Sequence, residues 1–358
     1  MKNHLPFNYI DKDKTDIIKG IAIIFMLIHH FFTYPMWFVH QYQYMDIDTA
    51  NMFREPFKIC VCIFAFLTGY FYVFAKKQTY QYSLRKITDL WLNYFIVFLL
   101  LMSVALMLGC WKITAKSFIL ESLSVENEIV NLAWYVKLYT ITMLILPLYI
   151  ILARKHILIA FLTGMLIPDF LIKGYNTLHI LPDSYLTAYV NACAYFFIFS
   201  TGIIFAQYEL FSKWFDPVFK NHISNKFLLF MINFSLVLFA FIGRYALPTL
   251  NYFTRFSADF IYAPLFVYGI INLISLVPNY RKVLKPLAIL GKYSLVMWFF
   301  HSIFYDVCKE YTQPFLYISA NPVVVVVWGT VLCFVCSFII SIPVNFLVKY
   351  KNKLLFKN

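Results

Sequence analysis

Reading the chain for uninterrupted apolar runs finds ten stretches, near residues 17–34, 56–75, 89–109, 133–153, 157–172, 187–206, 227–246, 258–276, 287–306 and 322–348. A hydrocarbon core of ~30 Å needs about 20 helical residues to cross it. The runs at 17–33, 57–75, 90–109 and 323–348 meet that length with almost no interior charge. The fifth run is short and closed by Pro168 and Asp169, which leaves a tilted or re-entrant path open for it. The first run lies near a basic amino terminus but continues into His30, Phe31, Phe32 and Tyr34 without a small-residue cleavage site, so it reads as a retained helix rather than a signal peptide. The expected fold is all-α: a polytopic membrane protein of about ten transmembrane helices. One membrane domain fills residues 1–358, with short tails at 1–15 and 349–358 and no internal repeat or low-complexity tract.

Composition strengthens the membrane reading. Of 358 residues, 62% are hydrophobic and only 13% charged, with 40 Phe and 27 Tyr, too few charges to cover a soluble surface of this size. The net charge of +13 is distributed as a topology signal. With the amino terminus in the cytoplasm, 21 of the 30 Lys and Arg residues fall on the cytoplasmic side, leaving nine spread over the outer loops. Both ends of the chain are therefore expected in the cytoplasm, and the location is a plasma membrane crossed many times. No separate basic domain exists, which argues against a nucleic-acid partner; membrane lipid and an anionic cytosolic substrate fit the charge better. The seven cysteines are scattered, mostly in apolar runs, at spacings that match no zinc or haem pattern, so no metal and no permanently bound cofactor are expected.

Polar and ionisable groups inside membrane helices are costly and tend to mark function. His29 and His30 lie in the run Asp16-Ile-Ile-Lys19-Gly20-Ile-Ala-Ile-Ile-Phe-Met-Leu-Ile-His29-His30. At ~1.5 Å per residue, His30 sits ~16 Å beyond Lys19, at or past the bilayer middle. The first helix thus carries a cation at its cytoplasmic end and a titratable base deep inside.

The same residues resemble the membrane-bound acyltransferase-3 family, which O-acylates cell-surface sugars. The family's first helix reads Asp-x-x-(Arg/Lys)-Gly with a His ten residues after the Gly, and Asp16, Lys19, Gly20 and His30 match it. Further matches follow in order. Phe66-Leu-Thr68-Gly69-Tyr70 resembles Phe-x-Ser-Gly-Tyr of the second helix, Trp134-Tyr135-Val136 resembles Trp-Phe-Leu opening the fourth, and Gly291-Lys-Tyr-Ser294-Leu295 with His301 is similar to a late Gly-x-x-Ser-Leu…His pattern. The chain departs from the family where Arg-x-x-Arg and a Pro often open the third helix. It has Arg85-Lys86-Ile-Thr-Asp89 and then Asn93, which keeps a basic pair and loses the spacing.

The resemblance implies acyl transfer from a CoA thioester, most simply acetyl-CoA as co-substrate, to a hydroxyl of a surface glycan or lipid-linked sugar. That reaction needs a base for the hydroxyl proton and donors for the oxyanion. A neutral imidazole shielded from water suits the first task, and His30 could act as general base or as a covalent acyl carrier. His29 points about 100° away around the helix. The candidate contacts for the polyanionic donor are Lys19, Arg85 and Lys86, with ordinary positive-inside anchoring as the alternative; Asp16, a candidate catalytic or substrate-orienting residue, has the spacing to pair with Lys19 or could serve simply as a favourable amino-terminal residue of the first helix. His301 could orient the reaction, with Ser294 two turns earlier on nearly the same face. Thr68, Trp134 and Arg244 are candidate substrate contacts. A helix-packing role for Thr68-Gly69, an interfacial belt for Trp134 and snorkelling for Arg244 remain the plainer readings. The competing function is a transporter or flippase of a sugar-linked substrate, but the paired, inverted, Gly/Pro-broken halves of many transporters are not visible here. A structural or sensory role would leave the intramembrane histidines unexplained.

Overall fold

A computed structural model of the chain describes residues 7–32, 47–126, 128–130, 133–178, 183–246, 258–305 and 308–356, and among these the regular structure is helical throughout. Helix α1 spans Lys12–Phe32. Helices α2 (Ile47–Phe57) and α3 (Ile59–Tyr72) follow, then α4 (Tyr80–Met107), the short α5 (Ala115–Ser122) and α6 (Trp134–Ala153). The chain continues with α7 (Ile157–Leu178) and α8 (Asp183–Gln207), a π-helical turn Phe211–Phe215, α9 (Asp216–Phe219), α10 (Lys226–Ala246) and α11 (Asp259–Leu276). It ends with α12 (Tyr280–Val283), α13 (Lys285–Phe300) running into a 3-10 turn His301–Phe304, α14 (Lys309–Leu316) and α15 (Pro322–Leu355).

Among the described residues eight helices are long and apolar enough to cross a membrane: α1, the α2–α3 stretch from Arg54, α4, α6, α10, α11, α13 with its 3-10 turn, and α15. The other two expected spans correspond to α7 and α8, apolar over Ile157–Pro168 and Tyr195–Gln207 among the described residues. The ends differ from the hydropathy reading where local chemistry extends a helix into polar surroundings. α1 starts at Lys12 because the Asp11 carboxylate accepts from the Lys14 amide at 2.8 Å. α4 starts at Tyr80, nine residues before 89, under a Thr79 cap that accepts from the Tyr82 amide at 3.3 Å. α7 continues through Pro168 to Leu178 instead of stopping there. A proline removes one backbone bond, and apolar surroundings offer the chain no better partners than the remaining helical ones. Pro147, Pro264 and Pro343 lie inside α6, α11 and α15 in the same way.

Two close crossings organise the interior. A Cβ on Gly20 would collide with the Leu287 carbonyl of α13, and one on Gly291 with the Asp16 carbonyl of α1. Gly69 of α3 and Gly202 of α8 likewise face the Phe199 and Phe66 backbones. Lipid tails are as apolar as the helix faces, so association relies on van der Waals fit, and small residues let two backbones approach. α1 packs chiefly on α13 and also touches α3, α11 and α15, which places it at the centre. Large apolar side chains of α10 and α15, such as Phe227, Ile242, Ile342 and Phe346, point outward.

Candidate active site

Both histidines of the family-like pattern lie on the α1–α13 pair. His30 is near the end of α1, and His301 caps α13 and opens the 3-10 turn rather than sitting inside the helix. Although 271 positions apart in sequence, they meet: His301 Nε2 and His30 Nδ1 are 2.9 Å apart, and both rings are buried. Their protonation pattern follows by elimination. His301 Nδ1 faces the Met297 carbonyl at 3.2 Å, and a carbonyl only accepts, so the neutral ring carries its proton there. His301 Nε2 is then an acceptor, and His30 Nδ1 must donate to it. The neutral His30 ring consequently bears its lone pair on Nε2, the electron pair that a general base or a nucleophile uses. His29 turns to another face, its Nδ1 donating to the Arg54 carbonyl at 2.8 Å.

A cavity of about 310 Å³ opens among α1, α3, α4, α6 and α13, lined by Lys19, Phe64, Thr68, Lys86, Asp89, Leu90, Asn93, Tyr135, Tyr139, Ser294, Leu295 and Trp298. A second hollow of about 190 Å³ shares Lys19, Thr68, Lys86 and Tyr139 with it and extends towards Tyr72 and Tyr82. The two form one recess with two lysines on its wall. Along α13 the lining runs from Ser294 to Trp298 and stops one helical turn short of His301. Trp298 forms that end of the recess, packed against Tyr135 at 4.9 Å and Phe64 at 5.5 Å between ring centroids.

The structure sorts the remaining candidates. Lys19, Lys86, Thr68 and Ser294 line the recess together. The Thr68 hydroxyl donates to the Phe64 carbonyl at 2.8 Å and that of Ser294 to the Gly291 carbonyl at 2.9 Å, each within its own helix. Arg85 is not among the lining residues, although its neighbour Lys86 is, because successive residues on α4 point about 100° apart. Asp16 is buried at the α1–α13 crossing, where its charge is felt by Lys19, Lys292 and Lys12 without an ion pair to Lys19 among the described residues. Trp134 stacks on Tyr195 at 5.8 Å and backs Trp298 at 6.5 Å, behind the recess rather than in its wall. Arg244 is buried and engaged: its guanidinium donates to Asp259 at 2.6 and 3.0 Å and to the Glu55 carbonyl. Among the described residues no cluster of His, Cys, Asp and Glu could hold a metal ion.

Asp89, Asn93, Tyr135, Tyr139 and Trp298 line the recess without having been site candidates, although Asp89, Asn93 and Tyr135 fall in segments compared with the family pattern. Their signal was present as polar or aromatic residues at helical spacing: Lys86, Asp89 and Asn93 at i, i+3 and i+7 on one face of α4, and Tyr135 and Tyr139 at i and i+4 on α6.

A bundle that keeps polar side chains around an internal recess, with a buried histidine pair beyond it, defines a polytopic membrane protein with a polar interior site. The family model described as an acyltransferase domain matches residues 13–342, nearly the whole chain, and the chain belongs to the acyltransferase 3 family. It is a membrane acyltransferase. No curated protein and no solved structure matches it.

Proposed function

We propose that the protein is a plasma-membrane O-acyltransferase that takes an acyl group, most simply acetyl, from cytosolic acyl-CoA and places it on a hydroxyl of a surface polysaccharide or lipid-linked sugar precursor. The observation that carries this reading is the order of groups along two packed helices. Lys19 and, on the neighbouring α4, Lys86 border the recess, Ser294 and Trp298 follow on α13, and the His30–His301 pair comes next. The two lysines attract the phosphates of CoA, and the bundle end that holds them is the cytoplasmic one by the positive-inside distribution. The pantetheine arm then points along α13 towards the histidines, and the Trp298 indole has to turn aside for the thioester to reach them.

At that point His30 Nε2 takes the proton from the acceptor hydroxyl, whose oxygen attacks the thioester carbonyl. The C–O bond forms, the C–S bond breaks, and the leaving thiolate takes the proton back from the His30 imidazolium, which restores the neutral base. His301 acts through His30, holding its Nδ1 proton in place and stabilising the imidazolium that develops. A double displacement through an acyl-imidazole at Nε2 uses the same lone pair.

The reading is tested with purified protein in nanodiscs, radiolabelled acetyl-CoA and a panel of lipid-linked and free glycans. Transfer of label by the wild type and its loss in His30→Ala are expected. No transfer to any glycan, or full transfer by His30→Ala, would overturn it.

A further inference from the structure

We propose that Lys351, near the carboxyl end of α15, sets the charge of the recess by holding Asp89 away from Lys19 and Lys86. This rests on reading the recess as the acyl-CoA site. Two cations and one carboxylate share its wall. A carboxylate beside an anion site subtracts from the attracting field, and Asp89 stands three residues after Lys86 on α4, the spacing at which side chains on a helix face meet. Asp89 is nevertheless taken elsewhere. Its Oδ1 accepts from Lys351 Nζ at 2.5 Å, and the same ammonium donates to Thr88 Oγ1 at 2.9 Å and reaches the Arg85 carbonyl at 3.4 Å. An ammonium has three donors, and one turn of α4 supplies three acceptors.

The pair is shielded: the Lys351 side chain is 12% exposed and that of Asp89 23%. Lys351 reaches this position because α15 continues beyond the hydropathy limit at 348 to Leu355. It does not line the recess itself, so it is a positioning residue acting through Asp89. With Asp89 neutralised, both lysines stay available to the phosphates of the donor. Without Lys351, Asp89 competes for Lys86.

The test uses two substitutions that break one ion pair with opposite electrostatic consequences. Full-length protein in nanodiscs is titrated with coenzyme A, and KM and kcat are measured with acetyl-CoA. For Lys351→Met, the Kd for coenzyme A and the KM are expected to rise roughly tenfold with kcat preserved, the scale of one unit charge acting over ~10 Å at an effective dielectric of about 20. For Asp89→Asn, both are expected to fall below the wild-type values, since the recess gains one net positive charge. The double variant Lys351→Met/Asp89→Asn is expected to return close to wild type. A merely structural ion pair predicts that both single variants weaken binding alike, and that result overturns the proposal. An unchanged Kd in Lys351→Met while the wild type binds coenzyme A overturns the proposal alone. If the wild type binds no coenzyme A, the acyl-CoA reading falls and takes the proposal with it. If Lys351→Met fails to fold, the sign of the Asp89→Asn effect decides.

Discussion

Replacing Gly291 with alanine tests whether the contact between α1 and α13 builds the site. A Cβ at position 291 would fall on the Asp16 carbonyl and lie 3.0 Å from the Gly20 amide nitrogen, where ordinary contact begins at 3.4 Å. Both obstacles are backbone in the middle of a helix, so no side chain can swing away, and the helices must part by more than ~1 Å to restore normal separations. Overpacking of this kind costs about 1–3 kcal/mol of stability. Its second effect is on the histidines. A parting of that size carried along the two helices takes the 2.9 Å His30–His301 contact towards ~4 Å, beyond hydrogen-bond range. A misplacement of ~1 Å in a reacting group can cost on the order of 10² in rate. The assay is the initial rate of acyl transfer from labelled acetyl-CoA by wild type and Gly291→Ala in nanodiscs, with the thermal unfolding midpoint followed by tryptophan fluorescence. A fall in both is expected. Unchanged turnover would refute the reasoning, whether or not the midpoint drops, because it would show that the glycine crossing does not hold the histidines in register.

Two further outcomes follow from the geometry. On the proposed mechanism, in which His301 orients the base and does not reach the recess, His301→Ala is expected to lower kcat by on the order of 10² with KM for the acyl donor unchanged; His301→Gln, which keeps an acceptor for the His30 Nδ1 proton, should recover part of the loss, and equal activity of the two variants would count against the pairing. Arg244→Ala removes the guanidinium bonded to the buried Asp259 carboxylate, so a loss of ~3–5 kcal/mol in stability is expected. Arg244→Met/Asp259→Leu should regain most of it, and an Arg244→Ala protein with a normal melting midpoint but no activity would instead make Arg244 a substrate contact.

Much of the architecture was legible in the chain itself. Among the described residues, eight of the ten apolar runs correspond to helices fit to cross a membrane, since hydropathy adds up locally and a lipid core demands a fixed length of apolar helix. The polar groups that the structure gathers at the recess and the histidine pair were also visible, as residues that lipid does not tolerate: Lys19, His30, Lys86, Ser294 and His301. Helix ends were less legible. The start of α4 at Tyr80 and the passage of α7 through Pro168 depend on a capping hydroxyl and on the lack of competing partners, and neither enters a hydropathy count.

Tertiary structure alone decided which of these groups act together. Sequence order could not reveal that His30 bonds His301, that Lys86 and not Arg85 enters the recess, that Trp298 closes it where Trp134 only backs it, or that Arg244 is bound by Asp259. In water, an amphipathic stripe announces the buried face of a helix. In lipid both faces are apolar, so the rotation and crossing of each helix are set by close fit at points such as Gly20 and Gly291, and the partners of every buried polar group are known only once those crossings are formed.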